Sequence, residues 1–262
     1  MKSVTSNELK VISDSSPDTP AASPASHHPS HATHHSPLVT RLSSLITRYS
    51  SLVTLLFLAA CAGTPPPDWK ANAARQLASY QKQWLMGETR LAETSLTKAR
   101  DEIARTGRLD LAAHAELVRC ATHAAGLDFG PCGGYRAEDA TPAEAAYARL
   151  LAGTTQEGDD RLLPEHYAGF ARAKHAEERN RAAQAIADPF ARLLASALLF
   201  KAGDIAPQTL GLASRTASEQ GWRRPLLAWL HIQAKRAEAA GDNAALETLR
   251  RQIELASTPH RQ

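Results

Sequence analysis

The chain has 262 residues, of which 43% are hydrophobic and 22% charged, with 14 Gly, 15 Pro and 3 Cys. These fractions are ordinary for a globular protein and exclude collagen-like, wholly disordered and multi-span membrane classes. The formal net charge is only +3. Because nucleic-acid binding requires a clustered basic surface and the sequence shows none, nucleic acid is not an expected partner.

The first 37 residues form a low-complexity leader. Its segment 11–37 consists almost entirely of Ser, Pro, Ala, Thr and His. Such a segment cannot bury enough apolar surface to offset the entropy of ordering the chain, so we predict that residues 1–37 are disordered. Its histidines could bind a transition metal weakly or could be a compositional tract without function, and a translation start further downstream would remove the segment. These histidines are His27, His28, His31, His34 and His35.

Residues 38–60 have the organisation of a secretory signal peptide. Two arginines, Arg41 and Arg48, precede an uncharged apolar run over residues 52–60. This run is much shorter than the ~20 residues of a transmembrane helix, so a permanent span is not expected. An ordinary cleavage site would end on small residues alone, whereas this run stops at Cys61.

The end of the run, Leu58-Ala59-Ala60-Cys61, resembles the lipobox of bacterial lipoproteins, which is a leucine, two small residues and a cysteine. The resemblance implies that the Cys61 thiol receives diacylglycerol, that a signal peptidase cuts after Ala60, and that the new N-terminus is acylated by a chain such as palmitate. The chemistry needs cysteine because its thiolate is the nucleophile available near neutral pH. A buried apolar segment that happens to end in cysteine is the alternative.

The resemblance also implies a destination. Two or more acyl chains hold a protein firmly on a bilayer, whereas one chain does not. The residue after the cysteine is Ala62 and not Asp, which in the sorting pattern of enterobacterial lipoproteins implies the outer membrane, with the domain facing the periplasm. Residues 61–68 then form a tether in which consecutive prolines favour the polyproline II conformation. The expected partners are the membrane itself and an envelope protein close to it.

Residues 69–258 are predicted to be all-α, because apolar residues recur at helical spacing and no stretch alternates as a strand does. Three helices are predicted before Gly126, with turns at Gly87 and Gly107 between them. The residues predicted to face the core are Trp69, Ala73, Leu77, Tyr80, Trp84, Ala92, Leu96, Ala99, Ile103, Ala113, Leu117, Cys120 and Ala124.

The later helices have clear start signals. Thr141-Pro142-Ala143-Glu144 is a capping box with proline at the first helical position, and Asp188-Pro189 follows the same pattern. Asp204 and Asp242 each follow a glycine and are expected to cap the next helix. The signals predict about eight or nine helices, mostly joined by short turns as antiparallel hairpins. The last helix presents Leu246, Leu249, Ile253 and Ala256.

The run AKRAEAAGDNAALETLRRQIEL over residues 234–255 resembles the turn and second helix of a tetratricopeptide repeat, a helix–turn–helix unit of about 34 residues. The full residue pattern of that repeat is not met. The resemblance therefore implies the architecture alone, helical hairpins stacked as a tetratricopeptide-like solenoid, and an irregular helical bundle is the equal alternative.

One Gly/Pro loop, residues 127–135, interrupts the helices and carries Cys132, twelve positions after Cys120. If Cys61 is lipidated, these are the two remaining thiols, and an exported protein lies in an oxidising compartment. We predict a Cys120–Cys132 disulfide that pins the loop to the third helix and stabilises the fold by about 3 kcal/mol. Two unpaired thiols are the alternative.

No catalytic residue, cofactor or metal site is predicted, because the sequence lacks the P-loop, dinucleotide-binding and nucleophile-elbow motifs. Glu165 and His166 could form an acid/base pair, but a structural role is the expected one. His114 and His123 are poorly spaced for ligands on one helix face. The aromatic set is expected to lie mostly in the core, although an exposed subset could line a peptide-binding groove. That set is Trp69, Tyr80, Trp84, Trp222 and Trp229.

The leading hypothesis is a non-enzymatic envelope lipoprotein, whose helical-repeat-like domain binds another protein as a scaffold or adaptor at the membrane. Helical arrays build extended surfaces of the kind used for binding. Two alternatives stay open. One is an envelope enzyme that acts on peptidoglycan, with Glu165 or Glu144 as the candidate acid. The other is a purely structural lipoprotein.

Overall fold

Eleven α-helices and one short 3₁₀ turn make up the part of the chain that the computed structural model describes, residues 68–258. No strand occurs in that part, so the all-α prediction is confirmed. The predicted leader, signal peptide and lipobox, with Ala60 and Cys61, lie outside the described residues. The helices are α1 (Asp68–Met86), α2 (Thr89–Ala104), α3 (Leu109–Ala125), α4 (Pro142–Ala152), α5 (Asp159–Leu162), α6 (Glu165–Arg172), α7 (Ala176–Ala185), α8 (Pro189–Ala202), α9 (Pro207–Glu219), α10 (Arg223–Ala240) and α11 (Asn243–Ser257).

Helices α1 to α3 follow the predicted apolar stripes. Every predicted core position in them is buried except Trp69 and Cys120, which are half-buried. Helix α1 packs along α2 and also touches α3. The number of helices in residues 68–258 exceeds the predicted eight or nine. The additional ones are short helices between α4 and α8, among them α5 with 4 residues and α6 with 8.

Helix α8 lies at the centre of the core. It buries nine of its residues, from Phe190 to Leu199, so it is apolar on all sides and must be surrounded by other elements. Helices α3, α6, α7 and α9 pack against it. In a solenoid each hairpin contacts only its neighbours, whereas here α3 contacts α8 and α1 contacts α10. Of the two predicted architectures, these contacts favour the irregular bundle.

Most of the predicted caps are present. The Thr141 and Glu144 side chains form both hydrogen bonds of the capping box at the start of α4. The Asp188 carboxylate accepts from the backbone N–H of Ala191, 2.7 Å away, at the start of α8. Asp242 caps α11 in the same way. Gly203 and Gly241 end α8 and α10 in the left-handed conformation, with φ of +79° and +70°, which glycine adopts without steric cost.

The predicted cap at Asp204 is wrong. Two residues separate it from Pro207, where α9 begins, and the cap position belongs to Ala206. The Asp204 carboxylate instead forms an ion pair with Arg179 of α7. Ala206 makes no side-chain cap hydrogen bond. Its backbone N–H donates to the side-chain oxygen of Asn180 on the neighbouring helix α7, at 2.9 Å.

The last helix is less buried than its apolar stripe suggests. Helix α11 packs on α10, and of its predicted core positions Leu246 is buried, whereas Leu249, Ile253 and Ala256 are half-buried. The α10–α11 hairpin therefore lies at the edge of the core.

Trp84, near the end of α1, joins segments that are distant in the sequence. The Arg224 guanidinium of α10 lies 4.3 Å from the centroid of the Trp84 ring. Its Nε donates to the Trp84 carbonyl at 2.8 Å, and an Nη donates to Thr89 Oγ1 at 2.6 Å. The His123 ring of α3 lies 4.5 Å from the Trp84 ring, centroid to centroid. One indole thus connects α10, α1 and the end of α3.

We expect Arg224→Ala to lower the free energy of unfolding by about 2 kcal/mol, because it removes one cation–π contact and two hydrogen bonds. Arg215→Ala is the matched control, since Arg215 is exposed and surface substitutions of this kind stay within about 0.5 kcal/mol. Urea unfolding followed by far-UV circular dichroism measures both. Equal midpoints for the two variants would contradict the role given to Arg224.

Candidate binding groove

A half-open groove of about 550 Å³ lies between α3, the loop over residues 126–136, α4 and the end of α8. Its wall is predominantly apolar. The loop supplies two aromatic side chains, Phe129 and Tyr135. The opposite side is formed by alanines of α4, whose small side chains leave space in the groove. These alanines are Ala145, Ala148 and Ala152. We refer to this feature as the loop groove.

A disulfide fixes the loop to α3. The structure joins Cys120 of α3 to Cys132 of the loop, with their Cα atoms 5.6 Å apart, as the sequence predicts. Both cysteines line the loop groove. The disulfide is therefore part of the groove wall. Because Cys132 lies between Phe129 and Tyr135 in the sequence, the disulfide also constrains the positions of these two side chains.

The start of the loop is fixed by close packing against Trp84. A Cβ on Gly126 would lie 2.6 Å from the Trp84 ring, so only glycine fits there without displacing the indole. Leu127 then takes a positive φ of +64°. The Asp128 carboxylate accepts a hydrogen bond from His123 Nδ1 at 2.8 Å. This contact lowers the pKa of Asp128 although partial burial opposes it.

The far end of the loop rests on a buried carboxylate. A Cβ on Gly134 would collide with the Glu116 side chain. Glu116 is only 8% exposed, and its two oxygens accept from Arg100 Nε at 2.8 Å and Arg119 Nε at 2.9 Å. Charge-assisted hydrogen bonds of this kind hold a buried carboxylate in one orientation. Gly134 thus packs directly against the Glu116 side chain, whose orientation on α3 is fixed.

Three charged side chains line the loop groove: Asp128, Arg149 and Lys201. Arg149 is committed to Asp159, because its Nε donates to Asp159 Oδ2 at 2.9 Å and a second N–H donates to the other oxygen. The hydrogen bonds from Arg149 hold the pKa of Asp159 below its usual range, against the effect of burial. Asp128 has the hydrogen bond from His123, whereas Lys201 has no carboxylate of residues 68–258 within ion-pair distance.

The carboxylates considered for catalysis lie outside the lining of the loop groove. Glu165 is exposed at the start of α6. The neighbouring His166 ring packs 4.3 Å from that of Tyr167, and burial lowers the pKa of His166. Burial would raise the pKa of Glu144, but hydrogen bonds from His114 and Thr141 outweigh it and lower that pKa.

The aromatic residues singled out in the sequence belong to the core. Tyr80, Trp84, Trp222 and Trp229 are buried and Trp69 is half-buried, which confirms that the set lies mostly in the core. None of these residues lines the loop groove. Burial also raises the pKa of the Tyr80 hydroxyl. The sequence reasoning missed Phe129 and Tyr135 as groove residues, although the Gly/Pro-rich loop that carries them was the available signal.

Two further properties of the described part bear on function. Residues 68–258 contain no group of three or more His, Cys, Asp or Glu side chains placed to hold a metal ion. None of the helices in that range is both long and apolar enough to cross a membrane. His114 and His123 instead contact the carboxylates of Glu144, at 3.5 Å, and Asp128.

Comparison of the chain with protein-family models, with curated proteins and with solved structures finds no match.

If the protein is exported, as residues 38–60 predict, the thiols of Cys120 and Cys132 should be oxidised. Thiol titration of unfolded Cys61→Ser protein should then find no free thiol before reduction and both after it. The Cys120→Ser/Cys132→Ser variant should lose about 3 kcal/mol of stability, and chymotrypsin should cleave it faster at Phe129 and Tyr135 because the loop is released. Two free thiols before reduction, or unchanged cleavage, would contradict the bridge.

Proposed function

We propose that the protein is a non-enzymatic lipoprotein of the bacterial outer membrane, whose periplasmic α-helical domain binds a segment of another envelope protein in the loop groove. The sequence of residues 38–61 supports the proposed export and lipid anchoring, since a basic segment, an apolar run and a lipobox-like end follow one another. Acylation of Cys61 would keep the domain close to the bilayer. Its partners would then be envelope proteins, and the protein would act as a scaffold or adaptor.

The loop groove is the observation that carries the binding part of the proposal. It is concave and mostly apolar, and a few polar groups converge on it, which is the usual composition of a binding site. The loop that forms one wall is positioned in the absence of a partner by the disulfide and by the packing of Gly134 against Glu116. A preformed wall limits the entropy that association would cost.

Chemical crosslinking in the membrane fraction, followed by affinity purification, tests both parts of the proposal in one experiment. The wild-type protein should purify with a discrete partner. Cys61→Ser should stay unprocessed or leave the membrane fraction, because no acyl chain can be attached. A Cys61→Ser variant that is cleaved to the mature size and still fractionates with membranes as the wild type does would contradict the lipid anchor.

Ala148→Arg places a long polar side chain on the floor of the loop groove. It should leave the protein in the membrane fraction but abolish crosslinking to the partner. Ala239→Arg on α10 is the matched control, because Ala239 is exposed and does not line the groove, and it should retain the partner. Full crosslinking by Ala148→Arg, with unchanged helicity, would contradict binding in the groove.

A further inference from the structure

We propose that the loop groove selects a polypeptide segment in which an Asp or Glu side chain lies next to apolar residues, and that Lys201 binds the carboxylate. This inference rests on the proposed function and specifies the partner. It follows from the charges of the lining, the position of the Lys201 ammonium group, and the backbone of the loop.

Lys201 is the charged side chain of the lining that no carboxylate or histidine contacts. The carboxylate of Asp128 is engaged by His123, and the guanidinium of Arg149 is engaged by Asp159 on two of its N–H groups. No described carboxylate lies within ion-pair distance of Lys201. At the α8 end of the groove a bound segment therefore meets an ammonium group without an ion-pair partner, so a carboxylate at that point of the segment is complementary to it.

The Lys201 ammonium is held at the rim of the groove. It donates one hydrogen bond to the Leu151 carbonyl at the end of α4, at 3.2 Å. It also lies 5.8 Å from the centroid of the Phe129 ring on the opposite side. An ammonium has three N–H donors, so two remain for a ligand. A carboxylate placed there would be adjacent to the Phe129 ring and to the α4 alanines, which suit an apolar neighbour.

The loop favours a polypeptide over an acyl chain as the occupant. Residues 127–135 lie outside the helices, and the hydrogen bonds found for their backbone N–H groups are local turns, such as Tyr135 N–H to the Cys132 carbonyl at 3.1 Å. The backbone N–H groups of Phe129 and Cys132, two residues of the lining, have no acceptor within residues 68–258 and can pair with the backbone of an extended segment. An acyl chain offers nothing to these groups, which would lose their water without compensation.

Matched peptide pools provide the test. Each pool consists of fluorescein-labelled nonapeptides with amidated C-termini, random Leu, Val, Phe or Ala at eight positions, and a central Glu, Gln or Lys. Amidation removes the terminal carboxylate, so any preference reports the side chain. Fluorescence anisotropy with wild-type protein should show the Glu pool binding about fivefold more tightly than the Lys pool, as expected for one partly exposed ion pair.

Substitution of Lys201 should change this preference without removing apolar binding. Lys201→Gln should bind the Glu and Lys pools equally, and Lys201→Glu should reverse the order. Lys98→Glu, at an exposed position on α2 outside the groove, should behave as the wild type. Palmitate is added as a competitor to detect an acyl-chain site.

Two failures are distinguishable. If all pools bind and Ala148→Arg abolishes binding, but wild type shows no preference for Glu, then Lys201 does not select the partner while the proposed function stands. If no pool binds, or if palmitate binds in the groove in their place, both the selection and the proposed polypeptide site are overturned.

Discussion

The attachment of the 126–136 loop to α3 is the constraint on which the functional surface depends. The loop has no regular structure of its own beyond local turns. Three contacts position it, together with the hydrogen bond between Asp128 and His123. Gly126 packs on Trp84, Cys132 is bonded to Cys120, and Gly134 lies on Glu116. Because α3 also packs against the central helix α8, the loop is fixed relative to the core and to Lys201 at the end of α8. Without these contacts there would be no wall opposite α4.

Trp84 links the stability of the fold to the shape of this surface. Its ring is enclosed by Arg224, His123 and Gly126, so α10, α1, α3 and the loop meet at one indole. Only 5% of the chain is aromatic, and alanine is abundant in the buried faces, which lets the helices approach closely. In such a core a few large side chains carry much of the contact area. A change at Trp84 would therefore alter the entry to the loop as well as the packing of the helices.

Local patterns predicted much of the fold. The stripes of α1 and α2, the capping box at Thr141 and the glycines at 203 and 241 are encoded within one or two helical turns, and periodicity and cap chemistry are sufficient to find them. Asp204 was mistaken for a cap because its partner, Arg179, lies on another helix. The predicted number of helices is too low because the short helices between α4 and α8 have apolar stripes too brief to be recognised one by one.

The candidate site was predictable only in part. The disulfide was predictable from the two cysteines together with the oxidising compartment that the lipobox-like sequence implies. The groove did not, because Ala148 and Lys201 belong to separate helices that meet the loop only through tertiary packing. Nothing in the local sequence distinguishes Lys201 from any basic residue in the last turn of a helix.

The most direct measurement is photo-crosslinking in intact cells from a reactive amino acid placed at position 148, in the native background and with Cys120→Ser/Cys132→Ser. Position 239 on α10 serves as the reference. If the disulfide-bonded loop forms a polypeptide-binding site, position 148 should give a discrete adduct and position 239 none. The adduct should be lost when both cysteines are replaced. An adduct that is equally strong without the disulfide, or no adduct from position 148, would contradict it.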